Sequence, residues 1–220
     1  MAAEFEKMDE FFDKRAANYD QHMQENVDDF NTFYQKIAED IKSTEEPISV
    51  LDIGCGTGLE LTYIFKKAPQ AHITCLDLSE KMLIKLKEKY KNKKEQIDLI
   101  QGSYLEEDLS DNKYDYIISV MTVHHLKYKS KLMLYKKIQR ALKNDGKYIE
   151  GDYVVNQKKE KQLLAEYEKK ISDLKEEEGS YHIDIPLSLK TQKRLFVKSD
   201  FKDFHLLYKK GEAAIYTMMK

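Results

Sequence analysis

Short apolar runs recur along the chain, and the segments between them carry polar and apolar positions at helical period. Ile48, Val50, Leu51 and Ile53 form the first run, bounded by Pro47 upstream and by glycines downstream. That pattern predicts a buried parallel strand ending in a tight loop. Further strands are predicted at Ile73, Cys75 and Leu76, at Ile97, Leu99 and Ile100, over Tyr114 to Val120, and over Lys147 to Tyr153. A helix is expected over Leu59 to Lys67. Met82, Leu86 and Tyr90 mark the buried face of a second helix, capped by Ser79. Leu132, Tyr135, Ile138 and Leu142 mark the stripe of another, ended by the turn Asn144-Asp145-Gly146.

Strands alternating with helices imply a parallel sheet covered on both faces, built from four β-α units between Ile48 and Leu142. The last two strands, Phe204 to Tyr208 and Ala213 to Met218, are joined by Lys209-Lys210-Gly211-Glu212, a connection short enough only for an antiparallel hairpin. Two N-terminal helices are predicted, Phe5 to Ala16 and Asp20 to Ile41.

Composition narrows the picture. The chain has 220 residues, enough for one domain with a substantial core. A net charge of −2 argues against a surface built for nucleic acid. Lysines crowd residues 85 to 94 and 127 to 137, but on helices with an apolar face, so solvated outer faces are expected. The two cysteines, Cys55 and Cys75, are expected as reduced thiols in a cytoplasmic protein. No signal-peptide pattern or membrane-length apolar run is present. Neither the cysteines nor the histidines complete a metal-binding spacing, so no metal is expected.

The chemistry starts at Asp52-Ile53-Gly54-Cys55-Gly56-Thr57-Gly58. Alternate glycines let a ligand approach the backbone. A dinucleotide fingerprint needs a small residue at position 59, where Leu59 stands, and no Gly-Lys-Ser/Thr phosphate loop occurs. Asp52 at the mouth would repel a pyrophosphate and suit a cation. The segment resembles the first motif of class I S-adenosylmethionine-dependent methyltransferases of the small, small-molecule type. That resemblance implies a Rossmann-like, doubly wound α/β fold whose seven-stranded sheet is mostly parallel, with one antiparallel edge strand. It also implies that S-adenosyl-L-methionine is the cofactor and S-adenosyl-L-homocysteine the product.

Residue by residue, the resemblance implies that the Gly54–Gly58 backbone, with Gly54, Cys55 and Gly56 as contacts, cradles the methionine and ribose part and that Asp52 acts on the ammonium through water. Asp77, about twenty positions after the loop, is placed to hold the ribose diol, with Leu78 beside it. Gln101-Gly102-Ser103-Tyr104 follows the third strand. The family usually has a carboxylate beside Gly102, and Ser103 stands there instead. Tyr104 either packs on adenine or closes the core. Val120, ending the fourth strand, completes the cofactor set.

Met121-Thr122-Val123-His124-His125-Leu126 then leaves the strand tips, where open parallel sheets bind ligands. His124 and His125 are candidates for proton handling, because imidazole titrates near neutral pH; the alternative is that they cap and pack. The family likeness divides the chain into an N-terminal helical lid (1–45), a cofactor core (46–153), a helical insertion over the substrate site (154–187), and a final helix with the hairpin (188–220).

In the lid, Arg15, Tyr19 and Asp20 match an Arg-x-x-x-Tyr-Asp pattern that implies Arg15 or Tyr19 on the methionine carboxylate, Arg15 by a charge-assisted pair. In the insertion, Leu163, Tyr167, Ile171 and Leu174 stripe a charged helix that either roofs the pocket or pairs with a second subunit. His182 and Asp184 either line the substrate site or form a surface turn. The expected reaction is in-line methyl transfer to a small molecule, by a monomer or homodimer. A tRNA-modifying methyltransferase and a non-catalytic S-adenosylmethionine-binding protein are the alternatives. An NAD oxidoreductase is disfavoured by Asp52 and Leu59.

Overall fold

The computed structural model describes residues 6–171 and 181–220. Seven strands form one sheet: β1 (Ser49–Ile53), β2 (His72–Asp77), β3 (Ile97–Gln101), β4 (Tyr114–Val120), β5 (Leu142–Tyr153), β6 (Lys202–Lys210) and β7 (Ala213–Met219). Their order is β3-β2-β1-β4-β5-β7-β6. The first five are parallel neighbours. β7 runs antiparallel to both β5 and β6, so the antiparallel feature of this edge is the predicted hairpin. The strand order reverses between β1 and β4, and the carboxyl ends of these two strands open the crevice in which such sheets bind ligands.

Each face of the sheet carries its own apolar core. On one side α3 (Phe30–Glu39), α4 (Leu61–Lys67) and α5 (Glu80–Lys89) bury Phe33, Ile37, Ile64 and Leu86. On the other, α6 (Tyr128–Ala141) and α8 (Leu189–Lys198) bury Tyr135, Ile138, Leu195 and Phe196. The period-2 pattern of β5 also brings Glu150 into the second core, where it accepts hydrogen bonds from Tyr135 (2.8 Å), Tyr148 (2.9 Å), Gln192 (3.0 Å) and Tyr216 (2.5 Å). A buried carboxylate so fully paired fixes β5 two residues before Asp152.

The structure departs from the predicted elements in three places. The second N-terminal helix is two, α2 (Tyr19–Asn26) and α3, because Asp29 takes a left-handed φ of 56° that no helix tolerates. The third β-α unit has no helix. Across residues 102–113 the Ser103 hydroxyl accepts from Leu105 N–H and the Asp108 carboxylate from Ser110 N–H, and these local turns compete with helix formation. Finally, Asn144-Asp145-Gly146 is not a turn. The chain leaves α6 at Ala141 and enters β5 at once, with fully buried Leu142 paired to Tyr114 and a bulge before Lys147 meets Tyr116.

The N-terminal segment crosses the strand tips as α1 (Met8–Arg15) and α2. It is tied to the sheet at several points. Ser79 Oγ donates to Asp13 (2.6 Å), Lys89 pairs with Asp20 (2.6 Å), and the Thr57 hydroxyl donates to Asp20. α7 (Gln157–Ile171) carries the insertion; Tyr167 is buried in it, and Leu174 lies outside the described residues. Among the described residues no helix is long and apolar enough to cross a membrane.

Candidate active site

The loop after β1 is shaped by backbone that L side chains rarely adopt. Gly54 and Gly56 have φ of 66° and 50°. A Cβ on Gly54 would collide with the Thr122 side chain, and one on Gly56 would sit 3.6 Å from the Tyr19 ring. The loop is locked to β2 because Gly56 N–H donates to Asp77 Oδ2 (2.8 Å), while Ser79 N–H donates to Asp77 Oδ1 (2.8 Å). An ionised carboxylate has about four acceptor positions, so acceptor capacity remains beyond these backbone bonds. Burial pushes the Asp77 carboxyl up to about 6, against the pull of the Ser79, Gly56 and Leu78 N–H groups.

Behind the loop two carboxyl groups, Asp52 and Glu60, lie buried beside each other. Both carboxylate oxygens of Asp52 and Oε1 of Glu60 are buried without a hydrogen-bond partner among the described residues. Burial, then the charge of Glu60, raises the Asp52 carboxyl well above its ordinary range, and burial raises Glu60. A cation brought to this side of the loop would favour their ionised forms.

Two cavities open at the strand tips. The first is bounded by Gly54, Gly56, Asp77, Leu78, Gly102 and Ser103, with Met82 and Tyr104 on its apolar side. The second is bounded by Phe11, Arg15, His22, His124, Tyr153 and Asp184. They share one wall, made of Phe12, Tyr19, Met121 and His125. Met121 holds a left-handed φ of 50° with its N–H on Gly151 O (2.8 Å), a strained position at the point where the cavities meet.

The polar face of the second cavity is assembled from three parts of the chain. His124 Nδ1–H donates to Asp152 Oδ1 at 2.6 Å, which leaves Nε2 facing Asp184 Oδ1 at 3.5 Å. His125 Nδ1 lies 3.2 Å and His182 Nε2 3.8 Å from the same oxygen. His124 and His125 are 5% and 3% exposed, and the Asp184 side chain is 56% exposed. The 181–185 segment is fastened on both sides, by Ile185 N–H to His124 O (2.9 Å) and His182 N–H to Glu6 O (3.1 Å). The His182 ring stacks on Phe11 with centroids 3.4 Å apart.

Charge follows from this packing. Burial alone would lower His124, but the charge and hydrogen bond of Asp152, aided by Asp184, raise it to about 9. Burial and then the His124 charge lower His125, and burial and then the His125 charge bring His182 down to about 4. Burial acts to raise Asp184, but hydrogen bonds from His124 and His125 hold it well below the usual carboxylate range. Lys131, fully buried on α6, lies beside Glu150 and Asp152, and burial lowers it against the pull of their charges.

Of the residues expected from sequence, Tyr19, Gly54, Gly56, Asp77, Leu78, Gly102 and Ser103 line the first cavity and His125 lines both. Asp52, Cys55 and Val120 are buried behind it. Arg15 lines the second cavity, stacked 3.5 Å over Phe11 and paired with Glu6 at 3.1 Å. Sequence reasoning missed Glu60, Met121, Thr122 and Asp152. The legible signals were a carboxylate in the first turn after the glycine loop and one at the tip of an apolar strand.

A doubly wound sheet with a glycine loop, a buried carboxylate at the next strand tip and two cavities at the switch point is the architecture of the Rossmann-like class of transferases. A family model described as a methyltransferase domain matches residues 50–146. An uncharacterized methyltransferase of Staphylococcus carnosus is 30% identical over 161 residues, covering 72% of this chain and 73% of that protein. The carboxy-S-adenosyl-L-methionine synthase of Nautilia profundicola is 24% identical, covering 98% of this chain and 96% of that one. Among solved structures, human N-acetylserotonin methyltransferase in complex with SAM has a TM-score of 0.65 at 17% identity over 94% of this chain, which spans 57% of that one. The chain belongs to the class I S-adenosylmethionine-dependent methyltransferases.

The residues present fit that cofactor. The orphaned Asp52 and Glu60 carboxylates suit a donor with a cationic methionine end, Asp77 has acceptor positions left for the ribose diol, and Met82, Leu78 and Tyr104 supply apolar surface for adenine.

Proposed function

We propose that the protein methylates a small-molecule acceptor bound in the second cavity. The observation that carries this reading is the shared wall of Phe12, Tyr19, Met121 and His125, where a methyl group presented from the donor cavity meets an acceptor. When bound, S-adenosylmethionine supplies a methyl group on a sulfonium that leaves as a neutral thioether. The protein's share is alignment and control of the acceptor's proton.

Phe11, Phe12, Tyr19 and Tyr153 give the acceptor a flat, largely apolar berth. His124, His125 and Asp184 form the polar side that meets its reacting group and balances the charge as a proton leaves. Asp152 holds the His124 ring in one orientation for that task. Glu6, Lys14 and Arg15 lie at the mouth, linked by ion pairs of 3.0 and 3.1 Å. An acceptor covered by α1 and by the 181–185 segment favours a free small molecule over a nucleotide within tRNA. The malonyl-[acyl-carrier protein] O-methyltransferase 2 of Ilyobacter polytropus, 32% identical over 128 residues but matched over only 46% of its length, and the demethylmenaquinone methyltransferase of Listeria monocytogenes, 29% identical over 114 residues, are named for a malonyl and a demethylmenaquinone acceptor, which supports an acceptor group of small-molecule size.

The test is a screen of metabolite pools for S-adenosylhomocysteine production, with His125→Ala as control. Turnover with a small acceptor that collapses in the variant, while donor affinity holds, supports the reading. Turnover only with tRNA overturns it.

A further inference from the structure

We propose that His124, His125 and Asp184 bind a divalent first-row transition-metal ion that receives the acceptor's reacting oxygen. The inference rests on the second cavity being the acceptor site and says how that site activates its substrate.

Three donor atoms converge there. Asp184 Oδ1 lies 3.5 Å from His124 Nε2 and 3.2 Å from His125 Nδ1, and the three residues can each offer one ligand atom within 4.8 Å of the others. An ion bound at about 2.0–2.1 Å needs ligands about 2.9–3.4 Å apart, for octahedral to tetrahedral angles. Two of the three separations already stand near that range.

The His124 ring is prepared for such a role. Its Nδ1–H is consumed by Asp152 at 2.6 Å, so Nε2 is turned toward Asp184, and an ion bound there takes the place of the Nε2 proton. A carboxylate that orients a metal-ligating imidazole from behind recurs in metalloproteins and raises the basicity of the ligand. Asp152 is itself fully buried.

The set is also open. Two ligands stand on the buried tip after β4, and the third, 56% exposed, comes from a segment pinned at Ile185 and His182. Three protein ligands with free positions toward a cavity is the arrangement of catalytic rather than structural ions. Two imidazoles and one carboxylate favour zinc, cobalt, iron or nickel over magnesium and calcium, which prefer all-oxygen sets. His182, 3.8 Å from Asp184, stands near the rim and is held on Phe11 by stacking.

The ion keeps its oxidation state throughout. It lowers the affinity of an acceptor hydroxyl for its proton, which passes to solvent. The oxygen lone pair then forms the bond to the methyl carbon, and the electron pair of the broken carbon–sulfur bond stays on sulfur.

The full chain, treated with chelator and dialysed, is titrated with Co²⁺ and followed by visible absorption, with calorimetry against Zn²⁺ in parallel. One ion per chain is expected, with a ligand-field spectrum of a nitrogen-containing site. The signal should vanish in His125→Ala and Asp184→Asn, and binding should weaken about 10- to 100-fold in Asp152→Asn. S-adenosylmethionine affinity, measured on each variant, shows that the donor cavity is still folded. No spectral change, or binding that survives both ligand substitutions, overturns the metal site. If turnover in the metabolite screen is undiminished after chelation, the metal inference fails while the acceptor-site reading stands. If Co²⁺ binds with the expected variant pattern but only tRNA is methylated, the site stands and the small-acceptor reading fails.

Discussion

His124 Nδ1 donates to Asp152 Oδ1 at 2.6 Å, joining the tip of β4 to the tip of β5 beside the second cavity. Neither group is more than 6% exposed, so solvent screens this pair little. The bond fixes which nitrogen of His124 faces the acceptor. Asp152→Asn keeps the shape but removes the charge that holds the ring and raises its pKa. We expect turnover to fall roughly 100-fold with donor affinity unchanged. Steady-state kinetics beside calorimetry checks the split; an equal loss in both would place Asp152 in folding rather than chemistry.

Asp77 is expected to dominate donor recognition. Asp77→Ala removes the partner of the ribose diol and also frees Gly56 N–H, which Asp77 Oδ2 now accepts at 2.8 Å. A hydrogen bond to a charged group contributes about 1.5–3 kcal/mol, so the donor should bind at least roughly tenfold more weakly. Affinity equal to that of the unaltered protein, by calorimetry, would contradict the placement of the ribose.

The same residue sets a pH dependence. Burial raises the Asp77 carboxyl to about 6 in the cofactor-free protein, with Glu60 adding to the rise and the Ser79, Gly56 and Leu78 N–H groups opposing it. Because the folded value is raised, its contribution to stability is complete below the ordinary carboxylate value. That contribution is lost as pH rises through about 6. Donor binding favours the ionised form. Donor affinity should therefore weaken as pH falls below about 6, approaching tenfold per pH unit. The thermal shift produced by the donor should be larger at neutral pH than in mild acid. A shift that grows on acidification would exclude Asp77 as the titrating group.

Gly54→Ala should damage the loop itself. The residue sits at φ 66° and its Cβ would meet the Thr122 side chain. Strained backbone of this kind costs about 1–3 kcal/mol, and the collision adds to it. Denaturant unfolding should show a lower midpoint, and donor binding should be lost or sharply weakened. A stability within error of the parent would mean that the loop is more pliant than its packing implies.

Asp20 couples the N-terminal helices to the glycine loop through Thr57 and Lys89. The Lys89 pair is about one-third exposed, at 31% and 38%, so solvent reduces its contribution to at most about 1 kcal/mol. Asp20→Ala should weaken donor affinity only about fivefold or less, and high salt should shrink the difference between variant and parent. A far larger loss would point to Asp20 touching the donor directly.

The sequence by itself determined the donor half of this protein. A strand, a glycine loop and an acidic residue at the next strand tip are local features. Alternation of apolar runs with helical stripes is local too, so β1, β2 and the shape of Gly54–Gly56 could be read from neighbouring residues. What failed locally was the helix expected after β3 and the unbroken helix through Asp29. There, side-chain bonds to nearby backbone and one left-handed residue overrode the apolar period. The acceptor half belongs to the tertiary structure. His124, Asp152 and Asp184 lie far apart along the chain, and no spacing rule relates them. Only the sheet order, which sets β4 beside β5, and the pinning of the 181–185 segment across both tips bring imidazole and carboxylates within hydrogen-bonding reach.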